Sequence, residues 1–269
     1  MSRKSKILTS NFSLSNLQKI SVVIITYNEE KNIERCLKSV QSIADEIVVV
    51  DSFSTDKTQE ICNAHQVKFI THAFEGHIEQ KNWAITQATY PHVLSLDADE
   101  CPDEILTQSI LAAKKNWKAD GYSFNRCNNY CGTWIKYGAW YPDKKLRLWN
   151  SRKGHWAGEN PHDRYEMFDA NVKILHLKGD LLHYSYYSIT EHIAQGNKFS
   201  TIAAESAFQK GKKSNLISLI INPLWRFVRD YFFKLGFLDG RAGFIIAINT
   251  AHNTFLKYVK LYDLNKKNT

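Results

Sequence analysis

Asp97 and Asp99 stand one residue apart in Val93-Leu94-Ser95-Leu96-Asp97-Ala98-Asp99-Glu100, directly after a run of apolar, β-prone residues. A run of this length bounded by polar residues reads as a strand buried on both faces. Alternate residues of a strand share a side, so the two carboxylates converge if the strand continues to Asp99. Past the strand end they would sit where open α/β sheets bind ligands. Two such carboxylates repel each other unless a cation shares them. A divalent metal carrying phosphates is the natural third party, since Mg2+ is usually held by one or two carboxylates plus substrate phosphate. The same spacing also describes a solvated acidic loop after a strand, so the neighbouring elements must decide between the two.

Those elements alternate. Ser21 to Ile25 is a β-branched run and reads as a buried strand. Thr26 or Asn28 then caps a helix from Glu29 to about Ile43. Glu46 to Val50 is the second strand, ending at Asp51, and a polar turn leads into a helix that reaches about His65. Val67 to Ile70, a helix over His77 to Ala88 and the strand before Asp97 follow. Alternation of this kind implies βαβ units and a mostly parallel sheet. Pro102 to about Trp117 reads as a helix with Pro102 near its first turn. Gly121 to Arg126, Lys145 to Trp149 and Val172 to Leu177 read as strands among loops rich in Trp, Tyr and Asn. From Ser188 helix dominates, over Ser188 to Lys210, Asn215 to Leu235 and Arg241 to Lys260.

The chain has 269 residues, 43% hydrophobic and 13% aromatic, which suits one large domain or a domain with an appendage. Its net charge of +8 is uneven: the stretch from Tyr186 onward carries +7 and the remainder +1. Such asymmetry suits an acidic partner surface, either nucleic acid or anionic lipid. Cys36, Cys62, Cys101, Cys127 and Cys131 form an odd, scattered set without the second close pair a zinc site needs, and read as free thiols in a reducing compartment. Met1 to Lys19 is polar and lacks the apolar core of a signal peptide. No run reaches the roughly 18 apolar residues of a membrane span. A cytoplasmic location follows as the expectation.

Several pieces coincide in order and spacing. The first strand ends in Thr26-Tyr27-Asn28-Glu29, the second in Val50-Asp51 followed by Ser54-Thr55-Asp56-Lys57-Thr58, and the fourth in Asp97-Ala98-Asp99-Glu100. Together they resemble the family 2 glycosyltransferases. Tyr141-Pro142-Asp143-Lys144-Lys145-Leu146-Arg147-Leu148-Trp149, His183-Tyr184-Ser185-Tyr186 and Gly236-Phe237-Leu238-Asp239-Gly240 are similar to the subgroup that adds glucose to a heptose of the bacterial lipopolysaccharide inner core. The resemblance spans Ser21 to Leu261. It implies an α/β GT-A fold, a Rossmann-like mixed, mostly parallel sheet flanked by helices, with a helical C-terminal extension. The division it suggests is a tail over 1–19, a catalytic domain over 20–187 and a helical region over 188–269.

The resemblance also implies roles. Thr26, Tyr27 and Glu29 would line a nucleotide pocket, and Asp51 would accept hydrogen bonds from a uracil edge. Asp97 would contact the ribose or the metal, and Asp99 would ligate Mg2+ or Mn2+ bridging the diphosphate. Lys81, within Gln80-Lys81-Asn82, would add a cation near the donor. An inverting transferase further needs a base for the acceptor hydroxyl, and a carboxylate is the usual solution. The subgroup's Trp followed by a Val-His-Glu-like element corresponds here to Trp156-Ala157-Gly158-Glu159-Asn160-Pro161-His162-Asp163, where Asp stands for Glu and Pro for the apolar residue. Asp163 is the first candidate and Glu159 the second, and a loop that only binds acceptor is the alternative. His162 and His183 are candidates for a further metal or phosphate contact, although a lone histidine is more often structural.

Leu216, Ile217, Ile220, Ile221, Leu224, Trp225, Val228, Phe232 and Leu235 follow helical spacing, with Arg226, Arg229 and Lys234 among them. This describes an interfacial helix on an anionic membrane surface, or else a packing helix or a homo-oligomer contact. The expected activity is inverting transfer from a UDP-sugar, UDP-glucose first, to a lipid-linked oligosaccharide acceptor at the inner face of the bacterial inner membrane. The rivals are another nucleotide sugar serving a capsule or glycoprotein glycan, and a non-catalytic membrane-surface assembly protein. No G-x-G-x-x-G follows the first strand, which disfavours a dinucleotide oxidoreductase. A glycosidase would need paired carboxylates but no nucleotide pocket. No recognised module supports nucleic-acid binding.

Overall fold

We describe a computed structural model of the chain over residues 17–159 and 162–267, the side chains of Glu159 and His162 excepted. The first half is a doubly wound unit: β1 (Ile20–Thr26), α1 (Ile33–Val40), β2 (Glu46–Asp51), α2 (Thr58–Ala64), β3 (Lys68–Thr71), α3 (His77–Thr86) and β4 (His92–Asp97). The strands run in parallel in the order β3-β2-β1-β4. Their apolar runs are continuous because both faces are covered. Val22, Ile24, Val49, Leu94 and Leu96 pack towards Ile33, Leu37 and Val40 of α1, and Val23, Val48, Val50 and Val93 pack towards Ala84 of α3.

The second half mixes directions. It contains β5 (Glu100–Pro102), α4 (Glu104–Lys115), β6 (Gly121–Tyr130), β7 (Thr133–Trp134), β8 (Asp143–Asn150), β9 (Gly154–Glu159), β10 (His162–Met167) and β11 (Ile174–Tyr186). The sheet continues β4-β8-β6-β11-β5, with β7 beside β6. Only the β6–β11 pair in this half is parallel. β9 and β10 form a separate antiparallel hairpin. It docks through Trp156 and Tyr165 on Trp149 of β8, and Tyr165 stacks on Trp149 at 3.8 Å between ring centroids. This is the mixed α/β sheet of the GT-A fold.

The C-terminal region is helical: α5 (Ile189–Gln209), α6 (Leu216–Val228) and α7 (Gly240–Lys267). Ser188 and Glu191 cap α5 reciprocally, and Asn215 and Ser218 do the same for α6. No helix among the described residues is long and apolar enough to cross a membrane.

Several boundaries differ from expectation. β4 stops at Asp97, and Ala98-Asp99 is a turn into β5, so the two aspartates do not share one strand. Pro102 closes β5 opposite Leu181, and Asp103 caps α4 through Leu106 N at 2.7 Å. β9 and β10 occupy a stretch that reads as loop in the sequence. The helix expected from Asn215 to Leu235 breaks after Val228 into a π turn, and Leu235 is left-handed at φ 59°. α1 begins four residues later than expected, with Asn28 left-handed at φ 54°.

Candidate active site

The first two βα loops fasten each other. Asn28 N donates to Ser54 Oγ at 2.7 Å, Glu29 N to Thr58 Oγ1 at 2.8 Å and Glu30 N to Asp56 Oδ2 at 3.0 Å. In return Thr55 N donates to Asn28 Oδ1 at 2.8 Å. Three successive backbone amides of the first loop are thus met by side chains of the second, which accounts for both polar clusters. Tyr27 is left 58% exposed rather than packed in the core. Asp51 departs from its expected place: it is 2% exposed, and its carboxylate accepts from Ser54 N at 2.8 Å and from the Ser54 hydroxyl. It folds the loop and does not line the cavity.

That cavity, of about 470 Å3, opens at the carboxyl ends of β1 and β4. Thr26, Tyr27, Glu29, Lys81, Asp97, Asp99, Asp163 and His183 all reach it, although they are spread over 157 residues of chain. Burial pushes the Glu29 carboxyl up to about 7; a hydrogen bond from Asn32 opposes the shift, and Asp99, Asp56 and Asp97 add to it.

Lys81 is the hub of one half of the site. Its buried ammonium lies 3.0 Å from Asp97 Oδ1 and 2.7 Å from Asp163 Oδ2, joining the end of β4 to the β9–β10 hairpin. Its neighbours in sequence have separate tasks. Asn82 pairs with both backbone groups of Trp156, at 2.8 and 2.9 Å, and so pins the hairpin. Gln80 ties His72 to Ser52. Asp97 is also met by Arg147 Nη2 at 3.2 Å. Burial works against the Asp97 charge, but Lys81 and Arg147 outweigh it and hold its carboxyl well below the usual carboxylate range. Behind them Glu100, fully buried, accepts from Asp97 N at 3.0 Å and from Arg147 at 3.0 Å.

Asp99 has a different environment from Asp97. Its Oδ2 lies 3.0 Å from His183 Nε2, and His183 Nδ1 lies 2.6 Å from Asn128 Oδ1. Asn128 Nδ2 donates to the Trp140 carbonyl at 3.3 Å, which turns Oδ1 towards the histidine. Nδ1 therefore carries a proton, and Nε2 faces the Asp99 carboxylate. Such a contact needs a proton or a cation between the two atoms. Fixing one ring nitrogen so that the other can bind is the usual arrangement around metal-ligating histidines. The residues present thus fit a divalent metal with Asp99 and His183 as protein donors. Among the described residues no cluster of three or more His, Cys, Asp or Glu forms, so phosphate oxygens would complete the shell. Asp97, expected as a metal or ribose contact, lines the cavity while paired with two cations.

The Glu159 and His162 side chains lie outside the described residues. Phe74, His77, Arg126, Gln195 and Phe199 also line the cavity and carry no motif in the sequence. Arg147 and Glu100 were within quoted motifs, but their ionic partners lie 50 and 47 residues away and leave no local signal.

Comparison with known proteins places the chain. The family model described as glycosyl transferase family 2 matches residues 21–175. A glycosyltransferase of Rickettsia typhi is 33% identical, over 93% of this chain and 89% of its own. The lipopolysaccharide core biosynthesis glycosyltransferase LpsC of Rhizobium meliloti is 30% identical, over 90% of this chain and 92% of its own. Among solved structures, S. aureus TarS 1–349 in complex with UDP-GlcNAc covers 94% of this chain and 93% of its own at 16% identity and a TM-score of 0.46, a likeness too distant to argue function from. The chain belongs to glycosyl transferase family 2.

Proposed function

We propose that the protein transfers glucose from UDP-glucose, with inversion, to a heptose of a lipid-linked lipopolysaccharide core acceptor. The observation that carries this reading is the meeting of Asp99, His183 and Asp163 at one cavity at the strand ends. Asp99 and His183 would hold Mg2+ or Mn2+, and the bound metal would supply Lewis-acid neutralisation of the leaving diphosphate. Thr26, Tyr27 and Glu29 border the space for the nucleotide, with the exposed Tyr27 ring free to stack on the base. Asp51 would accept the uracil N–H on a carboxylate lone pair that Ser54 does not use. Asp163 is the carboxylate on the acceptor side. It takes the proton from the attacking hydroxyl as oxygen bonds to the anomeric carbon and UDP departs from the opposite face. Lys81 positions it.

The acceptor class rests on the likeness to LpsC, a lipopolysaccharide core glycosyltransferase. Residues 20–187 would do the chemistry. Residues 188–269 would hold the enzyme peripherally at the cytoplasmic face of the inner membrane. Support for this is the solvent-facing stripe on α6, where Leu216 and Ile217 are each 70% exposed. The stripe does not cover the sheet.

Turnover of a nucleotide-sugar panel with and without Mn2+ tests the donor and the metal together. UDP-glucose should be consumed fastest and only with metal. Asp99→Asn should reduce turnover by roughly a hundredfold or more. Equal turnover of this variant at limiting Mn2+ would remove Asp99 from the metal, and preference for another nucleotide sugar would replace glucose.

A further inference from the structure

A second cleft, of about 450 Å3, adjoins the donor cavity and shares Asp97, Arg126 and Asp163 with it. Its lining presents Arg126, Lys144, Lys145, Arg147 and Arg164 against those two carboxylates. Counting Lys81 and the carboxylates behind the wall, Glu100, Asp143 and Glu166, six cations face five anions. Lys144 has no ion pair among the described residues.

Arg147 adds a second, independent observation. It is 3% exposed, and only Nη2 of its guanidinium is used, on Asp97 and Glu100; Nε and Nη1 have no hydrogen-bond partner. Trp156 Nε1, in the same wall, has none either. Buried polar groups are ordinarily paired, and an unpaired one costs about 1–3 kcal/mol, more when charged. Asp97 Oδ1, the one acceptor among the unsatisfied atoms at this cleft, has the Lys81 ammonium 3.0 Å away, so the groups left without any partner there are the donors of Arg147 and Trp156. That pattern asks for a ligand rich in acceptor oxygens and negative charge. Arg suits such a ligand because its planar fork matches phosphate and carboxylate geometry.

Resting on Asp163 as the acceptor-side base, we infer that this cleft binds an oxyanion, a phosphate or a carboxylate, on the acceptor sugar next to the hydroxyl that is glycosylated. Asp163 then stands where the two halves of the reaction meet, with the donor in one cavity and the charged acceptor in the other. The anion also sets specificity: an acceptor without it leaves Arg147 and its neighbours unmatched.

The test needs no turnover. The protein is saturated with UDP and Mg2+ to fill the donor side, then titrated with inorganic phosphate and, separately, with acetate by calorimetry at low ionic strength. The comparison is with Lys144→Ala/Lys145→Ala/Arg164→Ala, three side chains outside the core. Saturable phosphate binding should weaken by roughly tenfold or more in the variant, with UDP affinity unchanged. Phosphate binding tighter than acetate assigns the acceptor group as phosphate, and acetate binding as tight assigns a carboxylate. Equal binding by wild type and variant, or none by the UDP-loaded wild type, would overturn the inference. Failure of UDP to bind would overturn the donor reading instead, and the phosphate comparison of the two proteins would still stand.

Discussion

Asp163 and Asp97 share one ammonium, that of Lys81, and this sharing separates their tasks. Asp97 is held by a second cation, Arg147, and stays fixed as part of the wall. Among the described residues Asp163 is ion-paired with Lys81 alone, and it borders both cavities. Asp163→Asn should therefore reduce sugar transfer by roughly 10²–10⁴-fold, the usual range for a general base, while UDP affinity stays unchanged. Lys81→Met would be a poorer probe, because it leaves Asp163 unpaired, strips Asp97 of one of its two cations and costs roughly 3–5 kcal/mol of stability. Transfer by Asp163→Asn at near the wild-type rate would move the base to Glu159.

Glu29 makes a separate prediction through pH. Its folded value of about 7 lies above the ordinary 4.5, chiefly through burial. Between those values the folded protein keeps a proton that the unfolded chain has lost, so stability falls as pH rises through this window. The stabilising effect of the proton is complete below 4.5 and gone above about 7. Glu29→Gln should remove the dependence, and urea unfolding at about pH 5 and about pH 8 reads it. The variant should gain stability relative to wild type at the higher pH. A difference that is the same at both values would mean Glu29 titrates normally.

At the scale of elements, the strands before Asp51 and Asp97 were legible because their apolar runs are long and bounded, as burial on both faces demands. β11 was not legible beyond Leu177, since Lys178-Gly179-Asp180 looks like a strand end. The strand passes through it: Gly179 takes φ +97°, the register with β6 shifts, and Asp103 of the α4 cap hydrogen-bonds both backbone groups of Asp180, at 3.0 and 3.1 Å. That bulge carries the strand on to His183. A Cβ at Gly179 would lie 2.2 Å from Leu106 N. Gly179→Ala should cost roughly 2–5 kcal/mol from strain and overpacking together, measured by urea unfolding, and should weaken metal-dependent UDP binding through His183. Unchanged stability would mean that the α4 cap yields easily.

The β9–β10 hairpin escaped sequence reading for another reason. Its residues alternate poorly, and its pairing is fixed from outside by Asn82 and the Trp149 ring. In the same way Gln195 and Phe199 reach the donor cavity from α5, which in sequence is an amphipathic helix without a motif. The D-x-D pair was visible, but its geometry was not. A turn places the two aspartates in different surroundings, one between cations and one against a histidine 84 residues on.

Across the whole molecule, the basic charge and the apolar stripe lie in the same C-terminal third. The structure changes which cations are free. Arg226 and Arg229 both pair with the buried Asp230, at 2.5 and 2.8 Å, so they hold the π turn together. Lys212, Lys213 and Lys234 are exposed. Each Lys or Arg near an anionic membrane is worth about 1 kcal/mol, screened over a Debye length of about 8 Å at physiological salt. Lys212→Glu/Lys213→Glu/Lys234→Glu should remove the salt-sensitive part of binding to anionic vesicles. Ile217→Ser/Ile221→Ser/Leu224→Ser should remove the part that survives high salt. Co-sedimentation across a salt series separates the two, and no binding of the wild type at low salt would assign the stripe to a second subunit.

The most direct test of the central claim is mass analysis of a lipopolysaccharide core acceptor after incubation with the protein, UDP-glucose and Mn2+, with the anomeric configuration of the product read by NMR. One hexose should be added per UDP released, in the β configuration, with formation of both products slowed by roughly 10²–10⁴-fold for Asp163→Asn. Retention of the α configuration, or UDP release with no hexose gained by the acceptor for any nucleotide sugar, would contradict the claim.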